Sequence, residues 1–227
     1  MRQMKTIDTL IFDFDGTLAD TYPIIFHSFQ TIFKEFKNQE ITGKEIVAMF
    51  GPAEDEIIRR QFSAADLSAV IERYYEAYHL QHDALVQPQP EINHMLRDLK
   101  RRGYKLGIFT GKGRRSLNIS LRHLFDDDLF DATVTGDEVS RHKPDPEGAL
   151  KALAMLGSEP ARAVFLGDSE FDFLAGRAAG MSIIAVAWFH EDGPLRAKAD
   201  LILRRKEEAA ELHSLLTRLP SRGSANV

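Results

Sequence analysis

The segment Leu10-Ile-Phe-Asp-Phe-Asp-Gly-Thr17 constrains this chain more than any other. From Ile7 to Phe14 the residues are β-branched and aromatic enough to read as a buried strand, yet the run carries Asp13 and Asp15 and breaks at Gly16. Carboxylates beside a core strand are costly unless they serve a site or cap a turn. Open parallel sheets bind ligands at the carboxyl ends of their strands, so a site is the natural reading. Taken alone, the segment also fits an Asp15-Gly16 turn dipeptide with Asp13 as a helix cap or hairpin residue.

The remainder of the chain alternates strand and helix patterns. Strands are expected at Tyr104 to Thr110, Ala132 to Thr135, Ala163 to Leu166, Ser182 to Ala187 and Asp200 to Leu203. Between them, Glu91 to Arg102, Arg114 to Leu124, Glu147 to Leu156, Phe171 to Ala179 and Glu207 to Leu219 carry apolar residues at helical spacing. This order predicts an α/β fold with a doubly wound parallel sheet. The interval from Asp20 to Asp83 departs from it, with helical signals alone at Ile24 to Phe36, Thr42 to Phe50, Asp55 to Phe62 and Ala65 to Leu80. It reads as an inserted α-helical bundle, so 1–19 and 84–227 are expected to form a core, 20–83 a cap, and 221–227 a solvated tail. Aromatic stripes in the insert, including Tyr74, Tyr75 and Tyr78, read as packing rather than as a ligand surface.

Composition narrows the chemistry. With 227 residues, 44% hydrophobic and 28% charged, the chain has enough apolar mass for one sizeable core and a smaller satellite. A net charge of -5 gives no reason to expect a nucleic-acid partner, so any phosphate chemistry must come from a local site. The absence of cysteine excludes disulfides and thiolate metal sites. Neither a signal peptide nor an apolar run long enough to span a bilayer is evident, which leads to the expectation of a cytoplasmic protein without a membrane partner. A monomer or a homodimer is expected.

Three further loops place polar groups at strand ends. Thr110-Gly111 offers a hydroxyl and free backbone N–H groups to an anion, or an ordinary helix N-cap. Lys143 lies in Arg141-His-Lys-Pro-Asp-Pro146, where two prolines stiffen the approach to a helix; a solvated lysine is the alternative. Gly167-Asp168-Ser169-Glu170-Phe171-Asp172 puts carboxylates at another strand end, where N-capping by Asp168 is also possible. A phosphoryl dianion beside ionised Asp13, Asp168 and Asp172 totals about five negative charges, which calls for a hard divalent cation, a lysine and aligned N–H groups. Oxygen donors without a cysteine or histidine cluster point to Mg2+.

These four segments resemble, in order and across nearly the whole chain, the four motifs of the haloacid dehalogenase superfamily: Asp-Phe-Asp-Gly-Thr, Thr110, Lys143 and Gly-Asp-Ser-x-x-x-Asp. The helical insert is similar to the C1 cap of the phosphoglycolate phosphatase and β-phosphoglucomutase branch. Phe50 to Ile58 resembles the cap loop of phosphoglycolate phosphatases and of a bacterial pyrophosphatase relative.

The resemblance implies a Rossmann-like core and hydrolysis of a small phosphorylated metabolite through an aspartyl phosphate. In it Asp13 is the nucleophile and Asp15 the acid and base. Mg2+ is held by Asp13, the Asp15 carbonyl and Asp168, with Asp172 supporting the metal or Lys143. Thr110 and the Gly111 N–H hold phosphoryl oxygens, Lys143 neutralises charge, and Gly16, Lys112, Gly51 and Pro52 complete the substrate contacts. A phosphoglycolate phosphatase-like activity is the leading expectation. Pyrophosphatase, phosphomutase and a non-catalytic phosphate-binding protein stand behind it. The loop from Phe50 to Glu56 is assigned to substrate selection by its resemblance to the family loop and by the stiff Gly51-Pro52 turn. Its acidic Glu54, Asp55 and Glu56 suggest a small or uncharged leaving group or a substrate bound through a cation. Lys44, Arg59 and Arg60 are candidate substrate cations, and His142 and Trp188 candidate entrance residues.

Overall fold

The computed structural model describes residues 6–189 and 199–219. The expected tail, 221–227, lies outside the described residues.

Strand β1, Thr9–Phe12, is followed by an all-helical stretch: α1 Tyr22–Lys37, α2 Gly43–Val47, α3 Glu54–Gln61, α4 Leu67–Leu80 and α5 His82–Leu85. Alternation then resumes with α6 Pro90–Arg101, β2 Lys105–Phe109, α7 Arg114–Leu124, β3 Ala132–Val134 and α8 Glu147–Leu156. The chain continues through β4 Ala163–Gly167, α9 Glu170–Ala178, β5 Ser182–Val186, β6 Leu201–Leu203 and α10 Leu212–Leu216. The six strands form one sheet, all neighbours parallel, in the order β3-β2-β1-β4-β5-β6. β1 lies between β2 and β4, with Phe12 in register with Ile108 on one side and Leu166 on the other. The chain reverses direction across the sheet at β1, so the ends of β1, β2 and β4 converge on one crevice.

Side chains leave the strands alternately. Leu10 and Phe12 of β1 join Leu106, Ile108, Val164 and Leu166 on the face covered by α6, α7 and α10, whereas Ile11 joins Phe109, Ala163 and Phe165 on the face covered by α8 and α9. The stripes read as packing are packing: Phe29 and Tyr74 lie 4.8 Å apart and Phe33 and Phe62 5.1 Å apart, at the centre of the insert. The insert does not close on a separate core. Its Ile24, Phe29, Tyr74 and Tyr78 belong to the same continuous apolar cluster as one sheet face.

Element ends move where local chemistry intervenes. β1 stops at Phe12, because Phe14 turns inward and its carbonyl accepts from Thr17, Leu18 and Ala19 N–H groups. The Asp13 N–H still bonds the Leu166 carbonyl at 2.8 Å, which keeps Asp13 in line with the sheet. The second insert helix is short, ending at Val47 rather than Phe50. The final expected helix divides into a 3-10 turn over Lys206–Glu211 and α10. Helix α5, His82–Leu85, crosses the boundary expected between insert and core after residue 83.

Candidate active site

The carboxyl ends of β1, β2 and β4 and the insert enclose a cavity of about 700 Å3. Asp13, Asp15, Thr110, Gly111, Lys112, Lys143, Asp168 and Asp172 line it from the sheet side, and Gly51 and Pro52 from the insert. One expected contact is placed differently. The Gly16 N–H is engaged by the Ala19 carbonyl at 2.9 Å, and Gly16 packs under Asp168. Its φ of +77 and the Asp168 carboxylate standing where a Cβ would be explain why glycine occupies this position.

Asp13, 8% exposed, receives the Lys143 ammonium at 2.7 Å. The same ammonium donates to Asp172 at 2.6 Å, so one lysine bridges two carboxylates from different strand ends. The ammonium also lies over aromatic rings, with Nζ 4.8 Å from the centre of Phe109 and 5.3 Å from that of Phe165. Phe109 lies this close because Gly148 in α8 has no Cβ to meet its ring. The loop carrying Lys143 is pinned by Glu147, which accepts from the Ser140 and Arg141 N–H groups, and by an Arg141–Asp145 ion pair at 3.1 Å. Solvated Lys143 is thereby ruled out.

The two capping alternatives are also resolved. Helix α9 is capped by Ser169, whose hydroxyl accepts from the Asp172 N–H while the Asp172 carboxylate accepts from the Ser169 N–H at 3.0 Å. Asp168 is therefore not the cap, and its carboxylate accepts from the Thr17 hydroxyl at 3.3 Å. On the neighbouring strand the N-cap of α7 is Gly113, not Thr110. The Thr110 hydroxyl accepts from the Lys112 N–H at 3.2 Å and lines the cavity.

Charge is concentrated in this space. Burial, then Asp172, pushes the Asp13 pKa from 3.8 up to about 7 although Lys143 opposes the shift. Burial, then Asp172 and Asp13, holds Asp168 well above the carboxylate range. For Lys143, burial works against its charge, but Asp13 and Asp172 outweigh it and raise the pKa. Oxygens of Asp13, Asp168 and Asp172 fall within 4.8 Å of one another. An all-carboxylate set carrying excess negative charge matches a hard divalent cation such as Mg2+.

Lys112 differs from expectation. Its side chain is fully buried, and its ammonium is engaged by Asp15 at 3.0 Å and by Glu54 at 3.6 Å, over the Tyr78 ring. Asp15 also accepts from the Thr21 hydroxyl. Glu54, at the start of α3, accepts from the Gly113 N–H at 2.6 Å and from the Ser116 hydroxyl at 2.5 Å, both at the start of α7. This loop acid is a tie between insert and sheet, and Asp55 accepts from the Tyr75 hydroxyl at 2.7 Å. Local sequence shows Glu54 only as an acid in a first helical turn; its partners lie 59 and 62 residues away. The cavity's apolar wall combines Phe50 of the cap loop with Tyr22 and Phe171, which carry no signal in the local sequence. Arg59 and Arg60 pair with Asp55 and Glu56 on the surface, and Lys44 is exposed; none of the three lines the cavity. His142 and Trp188 are not on its wall either, and the Trp188 indole N–H donates to the Thr17 carbonyl at 2.9 Å.

A doubly wound parallel sheet with paired aspartates after its central strand, a bridging lysine and a helical insert over the crevice defines a class of hydrolase. The family model for haloacid dehalogenase-like hydrolases matches residues 10–186, and the chain belongs to that family. It is 36% identical over 185 residues to the pyrophosphatase PpaX of Anoxybacillus flavithermus, covering 80% of this chain and 84% of that one. A crystal structure from Bacteroides fragilis described as a haloacid dehalogenase-like hydrolase is 29% identical with a TM-score of 0.72, over 89% of this chain and 99% of that one. CbbY from Rhodobacter sphaeroides, solved in complex with phosphate, has the same fold, with a TM-score of 0.78 at 24% identity over 89% and 96% of the two chains.

Proposed function

We propose that this chain is a Mg2+-dependent phosphatase that hydrolyses a small phosphorylated metabolite through a phosphorylated Asp13. The observation that carries this reading is the Lys143 ammonium shared between Asp13 and Asp172 at the wall of a cavity that also holds Asp15, Thr110 and Asp168. Asp13, the Asp15 carbonyl and Asp168 would hold Mg2+, with Asp172 behind them. The cation would offset the crowded carboxylates and draw charge from the phosphoryl oxygens.

An Asp13 oxygen attacks phosphorus as the bond to the leaving oxygen breaks, and Asp15 gives that oxygen a proton. A water then attacks the aspartyl phosphate and gives its proton to Asp15. The bond from phosphorus to Asp13 breaks, and inorganic phosphate leaves. The Thr110 hydroxyl and Gly111 N–H hold phosphoryl oxygens, and Lys143 neutralises nucleophile and phosphoryl group together. Lys112 acts as a positioning residue, holding Asp15 toward the cavity.

Two substrate readings have distinct support. The 36% identical pyrophosphatase favours a phosphoanhydride. The apolar wall, where Tyr22 and Phe50 stack at 6.1 Å and Phe171 is 59% exposed, favours an organic phosphoester such as phosphoglycolate or a sugar phosphate. Phosphate release from pyrophosphate, phosphoglycolate and sugar phosphates, assayed with Mg2+, separates them. Isomerisation of a sugar phosphate without phosphate release identifies a mutase instead, and no turnover of any of them rejects the proposal.

A further inference from the structure

Away from the cavity, the junction of α4 and α5 meets the end of α7 through a second group of ligand-type side chains. His79 lies in the last turn of α4, His82 and Asp83 open α5, and His123 lies in the last turn of α7. The His123 Nδ1 is 2.6 Å from an Asp83 oxygen, and its Nε2 is 3.5 Å from the His79 Nδ1. The His82 ring stacks on His123 with centroids 4.5 Å apart. Nitrogens of His82 and His123 and an oxygen of Asp83 lie within 4.8 Å of one another. His82 is fully buried, and its Nε2 is paired with the Ser120 hydroxyl at 3.0 Å, but its Nδ1 is buried without any partner.

An unpaired buried imidazole nitrogen is an expensive feature in a folded protein and calls for something to fill it. Asp83 and His79 are exposed, so the group is open to solvent on one side. We propose that His82, Asp83 and His123 form a binding site for a borderline divalent transition metal, of the Zn2+ class, that joins the helical insert to the sheet domain. Two imidazoles and one carboxylate with a water in the fourth position form an N,N,O set suited to Zn2+ and not to Mg2+. Bound through Nδ1, His123 keeps its proton on Nε2 and donates it to His79, which orients the ring from the far side. The site shares no residue with the phosphatase cavity and does not depend on the activity assigned there.

The test uses the untagged full chain, stripped of metal and then held in excess Mg2+ so that the aspartate site is filled. Zn2+ is titrated calorimetrically, and Co2+ serves as the absorption probe. The expected result is one Zn2+ per chain, a raised unfolding temperature, and a visible Co2+ spectrum of four-coordinate type. Affinity should fall at least about tenfold in His123→Gln and in Asp83→Asn, changes outside the core that leave circular dichroism unchanged. Failure to take up Zn2+, or uptake that survives both substitutions, overturns the proposal.

Discussion

Asp13 stands between two demands. In the proposed reaction it must be ionised to attack phosphorus, yet its surroundings favour the protonated form, and Lys143 alone does not restore the ordinary pKa. Replacing it with Asn preserves shape and hydrogen bonding while removing the nucleophilic oxygen. Asp13→Asn is expected to keep the unfolding transition and lower kcat by at least about a thousandfold, measured as phosphate release. Turnover close to wild type, with deamidation excluded by mass spectrometry, would reassign the nucleophile. Residues at strand ends were readable in advance for a physical reason: a carboxylate after an apolar run has few structural uses. Asp168 was ambiguous because a first-turn acid and a ligand occupy the same position in sequence. Only the Ser169–Asp172 capping pair separates them.

At the level of elements, the start of α7 is where insert and sheet are fastened. Gly113 N–H, Ser116 hydroxyl and Lys112 ammonium all face the Glu54 carboxylate, and Lys112 in turn holds Asp15. Burial disfavours the Lys112 charge, but Asp15, Tyr78 and Glu54 raise its pKa. Removing one partner of such a buried set leaves the others uncompensated. Lys112→Met is expected to destabilise the protein by about 3–5 kcal/mol in urea unfolding, and adding Glu54→Gln should recover part of the loss. Additive effects in the double variant would mean that the two groups do not interact. This fastening could not be read from the chain order, because Glu54 and α7 meet only when the helical insert folds back over β2. The strand and helix alternation was readable because each period reports on its own element. The division of the last helix was not, since Glu207 to Leu219 keeps a helical pattern through the 3-10 turn.

At the scale of the whole molecule, Asp13, Asp168 and Asp172 crowd together at one cavity. A carboxyl whose folded pKa lies above its unfolded value contributes stability while it is protonated, and that contribution disappears as pH rises through the folded value. For Asp13 the window runs from about 4 to about 7, and the raised Asp168 pKa works in the same direction. In chelator, stability should therefore fall as pH rises through this window. Mg2+ held as proposed would bind the ionised carboxylates, so its stabilising effect should be larger at pH 8 than at pH 5, as read from unfolding temperature. Equal Mg2+ stabilisation at both values would place the cation elsewhere. Among the described residues no helix is long and apolar enough to cross a membrane. One face of the sheet and the insert share one apolar cluster, so a single cooperative unfolding transition is the appropriate readout for these comparisons.

The chain has one tryptophan, and its indole is tied to the loop that faces the carboxylates. Trp188 donates to the Thr17 carbonyl, and the Thr17 hydroxyl reaches Asp168. Two hydrogen bonds thus link the lone indole to an expected metal ligand, giving the molecule a built-in optical gauge. Emission on titration with Mg2+ should follow occupancy of the aspartate site without any label, and the response should vanish in Asp168→Asn. A signal unchanged by that substitution would show that the indole senses something other than this carboxylate.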